Sequence, residues 1–265
     1  MTTVTVFTGD SPRHHNLLVS LAAAGASVTA IVEEPNGQAS TARSSAEEQD
    51  PVIREYFNRV REAEHSFFST ENTLLGTIDT LQVPKGKLST IRPVDLELAL
   101  RADFCIVFGS SIITGWLLEA LMGRGAINVH IGVSPYYRGS ACNFWAMYDD
   151  NYNLVGATVH LLTERVDAGG ILFNDRPSKI FRDPFLFSMG AVDSVQKRLV
   201  KLIVSGEIDG FRPVRNDESL QIRYSQRKDF TKNVVRSFLE KAATGSEIAS
   251  KSEEPPPGNL ICPNR

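Results

Sequence analysis

An amide and an imidazole stand two positions apart at Asn128 and His130, in the short apolar run that begins at Ile127. Residues i and i+2 of a strand point to the same face, so both groups would emerge on one side of a sheet. A carboxylate, Asp167, follows in the stretch Val166-Asp167-Ala168-Gly169-Gly170, a loop just before another apolar run. Loops at strand ends are where ligands bind in open α/β sheets. An amide, an imidazole and a carboxylate converging there would suit acyl transfer. The amide donates to a developing oxyanion, the imidazole moves a proton, and the carboxylate orients or charges the imidazole. Spacing alone leaves open a blander alternative, in which each is a buried polar group satisfied by its neighbours.

A second cluster precedes the first. Thr8-Gly9-Asp10-Ser11-Pro12 is followed by Arg13, His14 and His15, at a strand-to-helix junction where α/β folds bind phosphate. Cations in a first helical turn oppose the helix dipole, and an anionic ligand would offset that. The loop has neither the G-x-G-x-x-G nor the Walker pattern, so an exposed basic turn stays open as the alternative. After His130 come Tyr136, Tyr137 and Trp145, aromatics that stack on a sugar or base or pack at a strand end.

These groups need a frame, and the hydrophobic pattern supplies one. Val4 to Phe7 reads as a strand, His15 to Ala24 as a helix stopped by Gly25, and Ala26 to Val32 as a second strand. That order opens a parallel α/β sheet. Residues 36–50 read as a polar connector and Pro51 to Phe68 as a charged helix. Strands are predicted at Phe104 to Phe108, Ile127 to Val129, Ala157 to Leu162 and Ile171 to Phe173. Helices are predicted at Ile113 to Met122 and Phe185 to Ile203. The fold class expected is α/β, a Rossmann-like, mostly parallel twisted sheet flanked by helices, with a short C-terminal extension. Residues 1–210 form the main domain, 211–243 pack on it, and 244–265, with four prolines, read as a disordered tail.

Composition narrows the partners. The 265 residues are 42% apolar and 22% charged, with a net charge of −3. No basic surplus or stripe marks a nucleic-acid binder. Cys105, Cys142 and Cys262 are odd in number and irregularly spaced, which fits a reduced compartment and offers no metal-ligand spacing. No apolar segment reaches membrane-spanning length and no leader pattern opens the chain, so the expectation is a cytoplasmic protein with no membrane partner.

Asn128-x-His130, then Ser134-Pro135-x-Tyr137-Arg138-Gly139, then Thr158-x-His160 and Asp167-x-Gly169-Gly170, in that order, resemble the formyltransferases that use 10-formyltetrahydrofolate. The resemblance runs from about Phe104 to Ile203. It implies that Asn128, His130 and Asp167 are the catalytic trio, and that amine attack on the formyl carbon proceeds with no metal. Asp167 then pairs with His130 and takes the amine proton through a water. The resemblance also implies that the loop Phe108-Gly109-Ser110-Ser111-Ile112-Ile113-Thr114 binds the folate, through main-chain groups of Ser111, Ile113 and Thr114 and beside Asp167. The wording around Ser134 and of Arg223 to Thr231 is most similar to the sugar N-formyltransferases. Their acceptors are nucleotide-linked amino sugars, here preferably a GDP-linked 4-amino sugar for O-antigen synthesis. That would place Arg13, His14, His15, Tyr137, Arg138 and Asn143 at the acceptor, and a homodimer is allowed. A formyltransferase for another small amine and an idle nucleotide-binding module are the alternatives. The intact trio speaks against the second.

Overall fold

The computed structural model describes residues 1–34, 50–68, 73–244 and 248–252. Of the polar connector expected at 36–50, only Asp50 falls within them. The chain opens with β1 (Thr3–Gly9), α1 (Pro12–Ala23), β2 (Ser27–Glu34) and α2 (Pro51–Phe67). There follow β3 (Asp79–Pro84), β4 (Phe104–Phe108), α3 (Gly115–Gly123) and β5 (Ile127–His130). Next are β6 (Tyr137–Gly139), α4 (Cys142–Tyr148), β7 (Ala157–Leu161), β8 (Ile171–Asp175) and α5 (Pro184–Val204). The last are β9 (Arg223–Ser225), α6 (Lys232–Thr244) and α7 (Ile248–Ser252).

Seven strands form one sheet in the order β3-β2-β1-β4-β5-β7-β8. The first five run parallel, while β7 and β8 are each antiparallel to the strand before them in the sheet. The mostly parallel α/β fold expected from the sequence is therefore present. Both sheet faces are covered, and the strands alternate between them. Val4, Val6, Ile106 and Phe108 enter a larger core with α1, α2 and α5, whereas Phe7, Cys105 and Val107 enter a smaller one with α3. Two carboxylates fix helix starts: Asp50 accepts from the Val52 N–H, and Asp183 from those of Phe185 and Leu186. Asp183 also pairs with Arg59 at 2.6 Å, tying α2 to α5.

From β1 the chain moves outward to β2 and β3, then returns to β4 on the other flank of β1. This reversal leaves a crevice at the strand C-termini, the usual ligand position in such sheets. The ends of β1 and β4 lie side by side there, with Thr8 paired to Phe108.

The predicted disordered tail needs correction. Residues 248–252 form α7, with Ile248 only 2% exposed and part of the larger core. Lys251 pairs with Asp150 at 3.4 Å, and the Ser252 carbonyl accepts from Arg176. One apolar residue in a Pro- and Ser-rich setting was enough to dock the segment, which composition does not register. Residues 253–265 lie outside the described part of the chain. The first helix also begins earlier than expected, at Pro12, because proline is favoured at N1. Among the described residues no helix is long and apolar enough to cross a membrane.

Candidate active site

The crevice gathers the three predicted groups. Asn128 and His130 both sit on β5, and Asp167 comes from the loop between β7 and β8. His130 Nδ1 lies 3.2 Å from Asp167 Oδ2, and Asn128 Nδ2 lies 3.5 Å from Asp167 Oδ1, at the limit of a hydrogen bond. His130 Nε2 faces the Tyr137 carbonyl oxygen at 3.1 Å. Both ring nitrogens thus face acceptors, so the arrangement is satisfied by the imidazolium, which donates twice. Burial opposes that charge, but the Asp167 carboxylate, helped by Cys142, outweighs it and raises the His130 pKa well above its ordinary value. Burial likewise works to raise Asp167, yet the His130 beside it holds its carboxyl well below the usual range. The pair is an ion pair in a nearly closed site, with His130 and Asp167 side chains 6% and 9% exposed.

A fourth group, His160, belongs to the constellation and was quoted in the sequence motif without being assigned to the site. Antiparallel pairing sets it opposite Asn128. Its Nδ1 meets the Leu161 carbonyl at 2.8 Å and must donate there, which leaves Nε2 as an acceptor. Asn128 Nδ2 lies 3.0 Å from that Nε2. His160 therefore fixes which way the amide points, with one N–H toward His160 and the other toward Asp167. The alternation of polar and apolar residues in Ala157–Leu161 carried this signal, but strand register was needed to read it.

Asp167 is held in the left-handed region, at φ 51°. Its Oδ2 accepts from the Gly139 N–H at 3.1 Å, and its carbonyl accepts from Asn216 at 2.9 Å. Gly169 permits the turn that follows, since a Cβ there would lie 1.7 Å from the Leu161 carbonyl oxygen.

Two cavities meet at these residues. The larger, about 410 Å³, is bounded by α1, α2, α4, α5 and α6. The smaller, about 140 Å³, lies between the loop after β4 and residues 162–167. Asn128, Asp167, Gly109 and Ser110 line both.

The structure sorts the other predicted residues. Ser111 and Ile113 line the smaller cavity. Thr114 does not, and its N–H donates to Ser89 Oγ at 2.9 Å, so that group serves the fold. The Ser111 N–H is similarly held, by Glu33 Oε2 at 2.5 Å. Arg13 and Asn143 line the larger cavity. His14 does not belong with them. It is 4% exposed, lies edge-on to Phe108 with centroids 4.9 Å apart, and finds no partner for either ring nitrogen. Gly109 makes room for it, since a Cβ there would lie 2.2 Å from His14 Nε2. Burial first, then Arg13 and His15, push its pKa well below the ordinary value, so it is neutral and no phosphate cation. His15 is turned to Asp10 at 2.6 Å.

Tyr137 and Arg138 are corrected as well, because both lie outside the cavity walls. The Tyr137 hydroxyl donates to Asp149 and accepts from Asn151. Arg138, buried, donates to the Val166 carbonyl at 2.7 Å and to Gln221 at 3.3 Å, and pairs with Glu218 at 3.5 Å. It braces the loop that carries Asp167. Among the described residues no group of three or more His, Cys, Asp or Glu is placed to hold a metal.

Fold and site together define an α/β protein whose crevice has two chambers over one amide–imidazole–carboxylate cluster. Residues 87–183 match the family model for formyl transferase, a stretch that includes Asn128, His130, His160 and Asp167. Over 87 residues the chain is 34% identical to a methionyl-tRNA formyltransferase of Listeria monocytogenes, covering 32% of this chain but 27% of that one. A solved sugar N-formyltransferase from Shewanella sp. FDAARGOS_354 shares the fold at a TM-score of 0.53 and 15% identity, covering 87% of this chain and 78% of that one. The N-formyltransferase from Helicobacter canadensis, solved with folinic acid and dTDP-3-aminofucose, is similar at 0.51 and 12% identity, covering 92% and 82%.

Proposed function

We propose that this protein moves the formyl group of 10-formyltetrahydrofolate to the amino group of a nucleotide-linked sugar. The observation that carries the reading is the meeting of two cavities over one amide–imidazole–carboxylate cluster. A direct transfer between two bound substrates needs a chamber for each and a shared wall that reaches both. The smaller chamber, with Ile113, Leu118 and Leu162 beside main-chain groups, suits the flat ring of a pterin. The larger holds the amine.

The amine nitrogen attacks the formyl carbon and the carbonyl oxygen becomes an oxyanion. Asn128 offers that oxygen the N–H that now makes the long 3.5 Å contact to Asp167, while His160 retains the other. The His130 cation beside it stabilises the same charge. Asp167 draws off the amine proton through a water, and the folate N10 leaves carrying a proton. His130 and Asp167 are already an ion pair, so little charge has to be rearranged during the reaction.

A GDP-linked 4-amino sugar destined for cell-surface polysaccharide is the acceptor to test first, a choice that rests on the sequence resemblance. A formyltransferase for a small, phosphate-free amine has an observation in its favour. Arg13 is engaged by the buried Glu64 at 3.0 Å, and much of the remaining wall is aliphatic or aromatic. The test offers 10-formyltetrahydrofolate with a panel of nucleotide-linked amino sugars and small amines, reading formylated product by mass. Asp167→Asn should lower turnover by about two to four orders of magnitude in a folded protein. Near-normal turnover in that variant would remove this site from the mechanism.

A further inference from the structure

We infer that Tyr56 is a specificity-determining residue of the larger chamber, its hydroxyl hydrogen-bonding an oxygen of the bound acceptor. The inference rests on the formyl-transfer reading above. Tyr56 reaches the chamber wall from α2, an element the sequence motif does not include. Its ring is fixed by aromatic neighbours, with centroids 5.3 Å from Phe57, 5.5 Å from Phe144, 5.3 Å from Phe185, 5.0 Å from Phe230 and 6.0 Å from Phe238. A ring gripped on so many sides has little freedom to swing, so the position of the hydroxyl is set by the fold.

No hydrogen bond among the described residues engages that hydroxyl, whereas Arg13 and Asn143 of the same wall each have a side-chain partner, although Arg13 Nε has none. Arg13 is held by Glu64. Asn143 accepts from the Gly156 N–H at 3.0 Å and donates to Ser188 at 3.3 Å. Burial pushes the Tyr56 pKa far up, so the group remains a phenol with a proton to donate. Tyr56 is half-buried and its hydroxyl is open to water, so a ligand that displaces that water must replace its bond. A rigid donor left open on a substrate chamber is explained by a ligand oxygen that completes it. Tyr137 shows the contrast, since its hydroxyl is bonded on both sides and lines no chamber.

The test is steady-state kinetics of the full chain and of Tyr56→Phe, using 10-formyltetrahydrofolate and the best acceptor from the panel above. Tyr56→Phe should raise the acceptor KM about five- to tenfold, the usual effect of losing one neutral hydrogen bond. The donor KM and kcat should stay within about twofold, and Tm should hold because the ring remains. An unchanged acceptor KM in an active Tyr56→Phe would overturn the inference alone. So would a KM that rises only in Tyr56→Leu, which would mean that the ring, not the hydroxyl, does the binding. If the wild-type chain formylates nothing in the panel, the formyl-transfer reading falls and this inference with it.

Discussion

His14 offers a test of the site's electrostatics that needs no substrate. The imidazole is buried with two unpartnered nitrogens, and its pKa is pushed well below the ordinary value by burial, then by Arg13 and His15. In the unfolded chain it titrates near about 6.5. Above that pH both states are neutral and the residue contributes no pH dependence. Below it the unfolded chain takes up a proton that the native ring refuses, so the native state loses stability as pH falls, until the folded pKa is reached. The loss is on the order of 1–2 kcal/mol by pH 5. His130 has the opposite sign. Its raised pKa gives stability that is full below about 6.5 and is lost as pH rises through the folded value. Urea unfolding of wild type and His14→Leu at pH 7.5, 6.5, 5.5 and 5 isolates the His14 contribution, because His130 and all other groups are common to both. The leucine variant should gain on wild type by that amount between pH 7.5 and pH 5, with unchanged m-values. Parallel stability–pH curves would show that His14 is solvated or bonded, and would refute the reasoning.

Two further outcomes follow from packing. Truncation after Thr244 removes Ile248 from the core and the Lys251–Asp150 pair, and should cost about 2–4 kcal/mol; an unchanged urea midpoint would contradict the docking of α7. Gly169→Ala places a methyl group against the Leu161 carbonyl and should displace Asp167, lowering turnover more than tenfold with a fall in Tm; normal kinetics would show that the loop can yield.

The sheet was legible where strands are buried on both faces, because β1, β2, β4 and β8 are dense in apolar and β-branched residues. β3 was not, since it is an edge strand with a single buried residue, Val83, and gives no alternation to read. α4 was missed too: it starts after Ala141 in a left-handed conformation and is packed by aromatics. In the site, the two-residue spacing of Asn128 and His130 put both on one face of a strand, while their choice as site residues came from the motif resemblance. Arg13, His14 and His15 look alike in sequence, yet one lines a chamber, one is buried neutral, and one turns to a nearby aspartate. Burial made that distinction, and burial depends on which distant residues arrive. Arg138 was misjudged for the same reason, as its partners lie at 166, 218 and 221.

The bracing of the Asp167 loop has a consequence for how this protein becomes competent. Asn216, which holds the Asp167 carbonyl, is 49 residues further along the chain, and β9 closes on β6 across some 86 positions. A folding chain with its central sheet complete would already have Asn128, His130 and His160 in register. It would still lack the bond from Asn216 to the Asp167 carbonyl until residues 216–225 arrive. The same segment is short and lies largely at the surface, the kind of region that opens locally without global unfolding. Each such opening would free the Asp167 carbonyl and the Arg138 contact to Gln221 while the sheet stays intact, so the stiffness of the loop depends on the docking of a strip that lines neither chamber.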